Sequence, residues 1–183
     1  MRNREIRSKR SPYAYERLMY PDVLWWLQQF LQARFPNDMV QVADTSRQPL
    51  YRYLRRHQDH CPLPTEWQSW DVRVDLVGLI FGQRDVKIAV VECKNTPIRL
   101  THLSQLLGYS RVIQPESAFL LSPIGITPLL QRLLVTFGRQ DILNYATASG
   151  RRSRSLVIAK WDATAKMLDR NSVITSDDNI ARL

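Results

Sequence analysis

The stretch from Trp70 to Asn95, WDVRVDLVGLIFGQRDVKIAVVECKN, constrains this chain more than any other. Two apolar, β-branched runs flank Gly82-Gln83-Arg84-Asp85, whose Gly and Asp favour turns, so the pattern predicts an antiparallel hairpin. Charged residues spoil both runs. Asp75 stands between Val74 and Leu76 in the first strand, and Glu92 and Lys94 follow Ile88-Ala89-Val90-Val91 at the end of the second. Setting two carboxylates and an ammonium against a core is costly unless they pair or bind metal.

In a strand, Glu92 and Lys94 are two residues apart and share a face, while Cys93 points to the other. Two converging carboxylates, Asp75 and Glu92, suit a hard cation such as Mg²⁺ (or Mn²⁺), with the Cys93 backbone carbonyl as a third oxygen ligand. A bound cation would activate water and stabilise charge on a phosphodiester, and Lys94 could orient or deprotonate that water. The competing reading makes Glu92 and Lys94 an exposed pair at a strand end, with Asp75 a local salt-bridge partner for Arg73. Val77 and Val90-Val91 favour burial on both sides of the motif.

Asp75 followed seventeen residues later by Glu92-Cys93-Lys94, on a hairpin, resembles the PD-(D/E)XK nuclease motif, with Val74 where the eponymous Pro would stand. On the next predicted helix, Thr101 to Ile113, Gln105 and Tyr109 are similar to the Gln-x-x-x-Tyr element of RecB-like members. The resemblance implies a restriction-endonuclease-like α/β core, a central mixed β-sheet flanked by helices. It implies catalytic roles for Asp75, Glu92, Lys94 and Gln105, and contact of Tyr109 with nucleic acid. Members often add an acidic residue from the first helix to the metal site, and Glu16 fits that position best; a plain surface role fits it equally. The resemblance leaves open a homodimer or a larger nuclease complex.

Charge agrees with a polyanionic partner. The 183 residues carry 26 Lys and Arg against 17 Asp and Glu, for a formal net charge of +9, and 21 of the basic residues are Arg, which suits bidentate phosphate contact. DNA is the expected partner, with RNA not excluded. No membrane is expected, because no stretch approaches the apolar length of a span and the basic N-terminus lacks a signal-peptide core. Two cysteines, Cys61 and Cys93, give neither a disulfide framework nor the four ligands of an iron–sulfur cluster, so reduced thiols in a cytoplasmic protein are expected.

The length suits one domain over 11–162, with a basic arm at 1–10 and a polar tail at 163–183. The arm reads equally as a nucleic-acid contact or a frayed end. Ser11-Pro12 should cap and open a helix that Pro21 restarts or kinks, with Val23, Trp26, Leu27, Phe30 and Leu31 on its core face. Met39 to Ala43 reads as a strand. Leu50 to His60 reads as a basic helix whose Arg52, Arg55 and Arg56, interleaved with Tyr51 and Tyr53, suit backbone clamping or a solvated face. Beyond the motif helix come a buried strand Ser117 to Ser122, a helix Leu129 to Phe137 capped by Thr127, and strands Asp141 to Ala146 and Leu156 to Trp161. Arg99 and Arg111, flanking the motif helix, and Arg151 and Arg152, in a basic turn, are further phosphate-contact candidates.

The function expected is a metal-dependent deoxyribonuclease, an endonuclease rather than an exonuclease. The alternative is a noncatalytic nucleic-acid-binding or docking subunit that keeps the fold.

Overall fold

The computed structural model describes residues 11–58, 62–145 and 154–176. The basic arm, Cys61, Arg151, Arg152 and the last residues of the expected tail lie outside them. The architecture is α/β, a mixed six-stranded sheet with helices on both faces. Its strands are β1 (Met39–Asp44), β2 (Leu76–Phe81), β3 (Val86–Cys93), β4 (Ser117–Ser122), β7 (Val157–Asp162) and β8 (Met167–Leu168), side by side in that order. A separate ribbon pairs β5 (Asn144–Tyr145) with β6 (Arg154–Ser155).

The expected hairpin is β2 and β3, closed by the Gly82 N–H on the Asp85 carbonyl. Its strands are shorter than the apolar runs, so Asp75 lies one residue before β2 and Lys94 one residue after β3. Pairing changes across the sheet: β1, β2 and β3 are antiparallel, whereas β3, β4 and β7 run parallel. Parallel neighbours require crossovers, supplied between β3 and β4 by α3 (Leu100–Ile113).

Strand alternation sorts the core into two layers. Val77, Leu79, Ile88, Val90 and Leu120 face α3, α2 (Leu50–Leu54) and α4 (Pro128–Gln131). Leu76, Ile80, Ala89, Val91, Cys93 and Phe119 face α1 (Tyr20–Arg34), whose Tyr20, Val23, Leu27 and Leu31 form the buried stripe. The central strands are apolar on both faces because both are covered. At Gly78 in β2 an added Cβ would lie 2.5 Å from Leu31 Cδ1, so this glycine sets how closely α1 approaches the sheet.

Several expectations are corrected. Ser11 does not cap a helix. Its Oγ accepts the Tyr13 N–H in a local turn and donates to Asn95 Oδ1, and regular structure begins with a 3₁₀ turn at Glu16–Met19. Pro21 then occupies the first turn of α1, where a missing N–H removes no intrahelical bond. The expected helix from Leu50 is α-helical only to Leu54 and tightens to 3₁₀ over Arg55–His57. The helix after Thr127, whose Oγ1 accepts the Leu130 N–H, widens to a π-helix over Arg132–Thr136, closed by the Phe137 N–H on the Arg132 carbonyl. Of the strand expected over Asp141 to Ala146, Asp141–Leu143 belong instead to a 3₁₀ segment, Arg139–Leu143, entered through Gly138 at positive φ, Asn144–Tyr145 are strand, and Ala146 lies outside the described residues. Part of the stretch that reads as a polar tail adds β8 to the sheet edge and buries Leu168.

Candidate active site

The candidate site lies at the carboxyl end of β3, the end toward which the parallel strands β4 and β7 also run. Crevices at such strand ends are where open α/β sheets bind ligands. Three properties of the sequence build it. Alternation in β3 turns Cys93 into the α1 layer and Glu92 toward α3. The sheet ends at Cys93, which frees Lys94 from the regular ladder while its N–H still bonds the Leu121 carbonyl at 2.8 Å. On the other side, Thr45, fully buried, pins the approach to β2: its N–H donates to the Asp75 carbonyl at 2.8 Å and its Oγ1 to the Val74 carbonyl at 2.7 Å.

The side chains of Asp75, Glu92 and Lys94 meet there. Lys94 Nζ is 2.8 Å from Glu92 Oε1 and 3.7 Å from Glu16 Oε1. Asp75 Oδ2 accepts the Cys93 N–H at 2.8 Å, and Asp75 Oδ1 accepts the Tyr20 hydroxyl at 2.7 Å. In a strand the N–H and C=O of one residue point to the same edge, so the Cys93 carbonyl is turned to the side that holds Asp75. Glu92 is 4% exposed, which disposes of the reading that it belongs to a solvated strand-end pair. Asp75 takes its bonds from Tyr20 and Cys93, while Arg73 is exposed.

The electrostatics follow from this crowding. Burial first, and then the Asp75 charge, push the Glu92 carboxyl up to about 7 despite Lys94. Burial and Asp75 also raise Glu16 against the opposing pull of Lys94. Burial works to lower Lys94, but Glu92, Asp75 and Glu16 together outweigh it and hold its ammonium charged above the ordinary lysine range. The Cys93 thiol is raised well above its ordinary value by burial and by the same carboxylates.

Glu92 Oε2 is buried without a hydrogen-bond partner. An orphaned buried acceptor is unfavourable, and a cation is one species that would satisfy it. Among the described residues no three His, Cys, Asp or Glu side chains already converge in ligating geometry. Asp75, Glu92 and the Cys93 carbonyl would offer two carboxylates and a backbone oxygen, with water completing the set. That set fits Mg²⁺ or Mn²⁺, since Mg²⁺ is usually bound through one or two carboxylates and keeps several waters.

Of the other candidates, Gln105 and Tyr109 reach the site. Gln105 Nε2 donates to Glu92 Oε1 at 3.4 Å and to the Tyr109 hydroxyl at 3.3 Å. Arg99, exposed at the N-cap of α3, is at the end of that helix which follows β3. Arg111 is not: six residues beyond Gln105, it is displaced by about 9 Å along the helix and about 240° around it. Arg52 is exposed beside the Tyr51 ring. Arg55 and Arg56 lie toward the hairpin turn, since neighbouring His57 packs 6.1 Å from the Phe81 ring at the far end of β2, about 20 Å along the strand from Asp75.

Tyr20 is the site residue that the linear reading misses. Its signal is a tyrosine at the head of an apolar helical stripe, since a buried hydroxyl needs a partner. Asn95 is a second, holding the Tyr13 carbonyl at 3.0 Å and the Ser11 hydroxyl, and so fastening the entry segment to the end of the motif. Comparison of the chain with family models, curated proteins and solved structures gives no match. No described helix is long and apolar enough to cross a membrane.

Proposed function

We propose that this protein is a metal-dependent nuclease that hydrolyses phosphodiester bonds in DNA, acting as an endonuclease on a restriction-endonuclease-like core of the PD-(D/E)XK type. The observation that carries the reading is the gathering of Asp75, Glu92 and Lys94 at one strand end, with a buried Glu92 oxygen that no described residue hydrogen-bonds. The mixed sheet, the carboxylate pair on its central hairpin and the adjoining Gln105–Tyr109 pair support it together.

Asp75, Glu92 and the Cys93 carbonyl would hold Mg²⁺ or Mn²⁺, with Glu16 as an outer acidic contributor. The cation, when bound, supplies charge to the phosphodiester and acidity to a bound water. The protein's own residues position and polarise. Lys94, held charged by its carboxylate neighbours, is suited to orienting the attacking water and stabilising charge that develops on the phosphate, not to serving as a neutral base. Gln105 braces Glu92 from the α3 side. Arg99, at the N-cap of α3, and Tyr109, bonded to Gln105, are suited to phosphate and base contact.

Incubation with linear, nicked, branched and single-stranded DNA, and with RNA, in the presence and absence of Mg²⁺ or Mn²⁺ tests the reading. Metal-dependent cleavage of DNA is expected. Tight DNA binding without cleavage of any substrate would instead favour a noncatalytic docking subunit.

A further inference from the structure

We propose that Tyr20 is a positioning residue for the candidate metal site, its hydroxyl holding Asp75 in the orientation that leaves the carboxylate free for a divalent cation. The inference rests on the metal-site reading above. Tyr20 heads the buried stripe of α1, is 4% exposed, and donates to Asp75 Oδ1 at 2.7 Å, with Glu16 Oε1 a longer alternative at 3.4 Å.

The role follows from what surrounds Asp75. Its second oxygen already accepts the Cys93 N–H, so the Tyr20 hydroxyl supplies the second of two fixed donors and removes the remaining rotation of the carboxylate. Lys94, which follows Cys93 directly, is shared between Glu92 and Glu16. Without the Tyr20 donor, Asp75 would be free to turn onto that ammonium, which would close the cation's place with an internal ion pair. Groups that orient a ligating carboxylate from behind commonly change metal affinity by about 10- to 100-fold when removed.

The test is Mn²⁺ binding by the isolated protein, read from the free-ion electron paramagnetic resonance signal, with no DNA present. Tyr20→Phe is expected to weaken binding on the order of 10-fold. Replacement of Tyr20 by 4-fluorophenylalanine, which fills the hydroxyl's space without a proton to give, is expected to do the same and serves if the phenylalanine variant folds poorly. Installing 4-aminophenylalanine, which restores a donor, should recover most of the affinity. Val23→Ala, one turn along the same buried stripe, loosens packing without touching Asp75 and should leave the affinity of the folded protein unchanged. Wild-type binding that persists undiminished in the folded donor-less variants overturns the positioning role alone. Absence of Mn²⁺ binding in the wild type overturns the metal-site reading and this role with it.

Discussion

Glu92 presents its two oxygens to different worlds: Oε1 lies 2.8 Å from the Lys94 ammonium and within reach of Gln105, while Oε2 is buried with no partner. A structural ion pair in a core would have both acceptors satisfied, because breaking the symmetry costs stability and gains nothing for folding. The unpaired Oε2 is the atom on which the proposed cation site rests.

Removal of the charges should therefore separate activity from stability. Asp75→Ala and Lys94→Ala are each expected to abolish metal-dependent cleavage while the protein stays folded. Loss of Asp75 relieves repulsion with Glu92 and also forfeits two hydrogen bonds, so its net effect on stability should lie within about 1 kcal/mol. Cleavage assays paired with urea unfolding decide it. Cleavage that persists per folded molecule, alongside a large loss of stability, would make the charges structural.

The raised Glu92 carboxyl has a sign that can be tested. Between its ordinary value of 4.5 and about 7 the folded state keeps a proton that the unfolded state has released. The folded state binds more protons in that window, so stability falls as pH rises through it, by up to about 3 kcal/mol from this group. The direction of the Glu16 shift adds to the trend, whereas Lys94 stays charged throughout and contributes no slope there. Metal-free thermal unfolding should give a higher Tm near pH 5 than near pH 8. Glu92→Gln should flatten most of that difference. Saturating Mg²⁺ should recover stability at the upper end, where ionised Glu92 is available to a cation. A wild-type profile that is flat, or that rises across the window, refutes the assignment.

The hairpin and its trio were legible because charges inside apolar runs are conspicuous within a short stretch of sequence. Glu92 and Lys94 needed only strand alternation to be placed together. Tyr20 was not legible, because its bond to Asp75 spans 55 residues and depends on how α1 settles on the sheet. Gly78 decides that settling, and a glycine in a strand carries no mark of the helix above it. Periodicity also misled where runs were short. Ile142 and Leu143 read as strand yet belong to a 3₁₀ segment, and among the described residues the ladder with Arg154 and Ser155 takes in Asn144 and Tyr145 alone. β8 is two residues long within a polar stretch, and only Leu168 marks its inward face.

The seating of α1 on Gly78 can be probed directly. Gly78→Val would drive a branched side chain into Leu31, and overfilling a packed core of this kind costs about 2 kcal/mol. Urea unfolding should show that loss, and Leu31→Ala in the same chain should recover part of it by opening the space. Additive destabilisation by the two changes would show that they do not share the cavity.

Substrate should be held chiefly through phosphates, and the arrangement of arginines predicts where. Each B-DNA phosphate neutralised should steepen the fall of affinity with salt by about 0.9 log units per log unit of salt. Arg99→Ala, at the α3 N-cap, should lower affinity and reduce that slope by about one such step on any duplex that reaches the trio. Arg55 and Arg56 are exposed about 20 Å away along the sheet, a distance of about six base steps at 3.4 Å each. Replacing both with Ala should weaken binding and flatten the slope only on duplexes extending beyond the cleavage point by at least that length, with no effect on shorter ones. Glu92→Ala removes a negative charge from the site and should leave binding intact or tighten it while cleavage is lost. Binding titrations over a series of duplex lengths and salt concentrations measure all three effects at once. Affinity that ignores salt between low and physiological concentrations would mean that the basic surface does not hold DNA, and the arginines would then serve solubility or a protein partner.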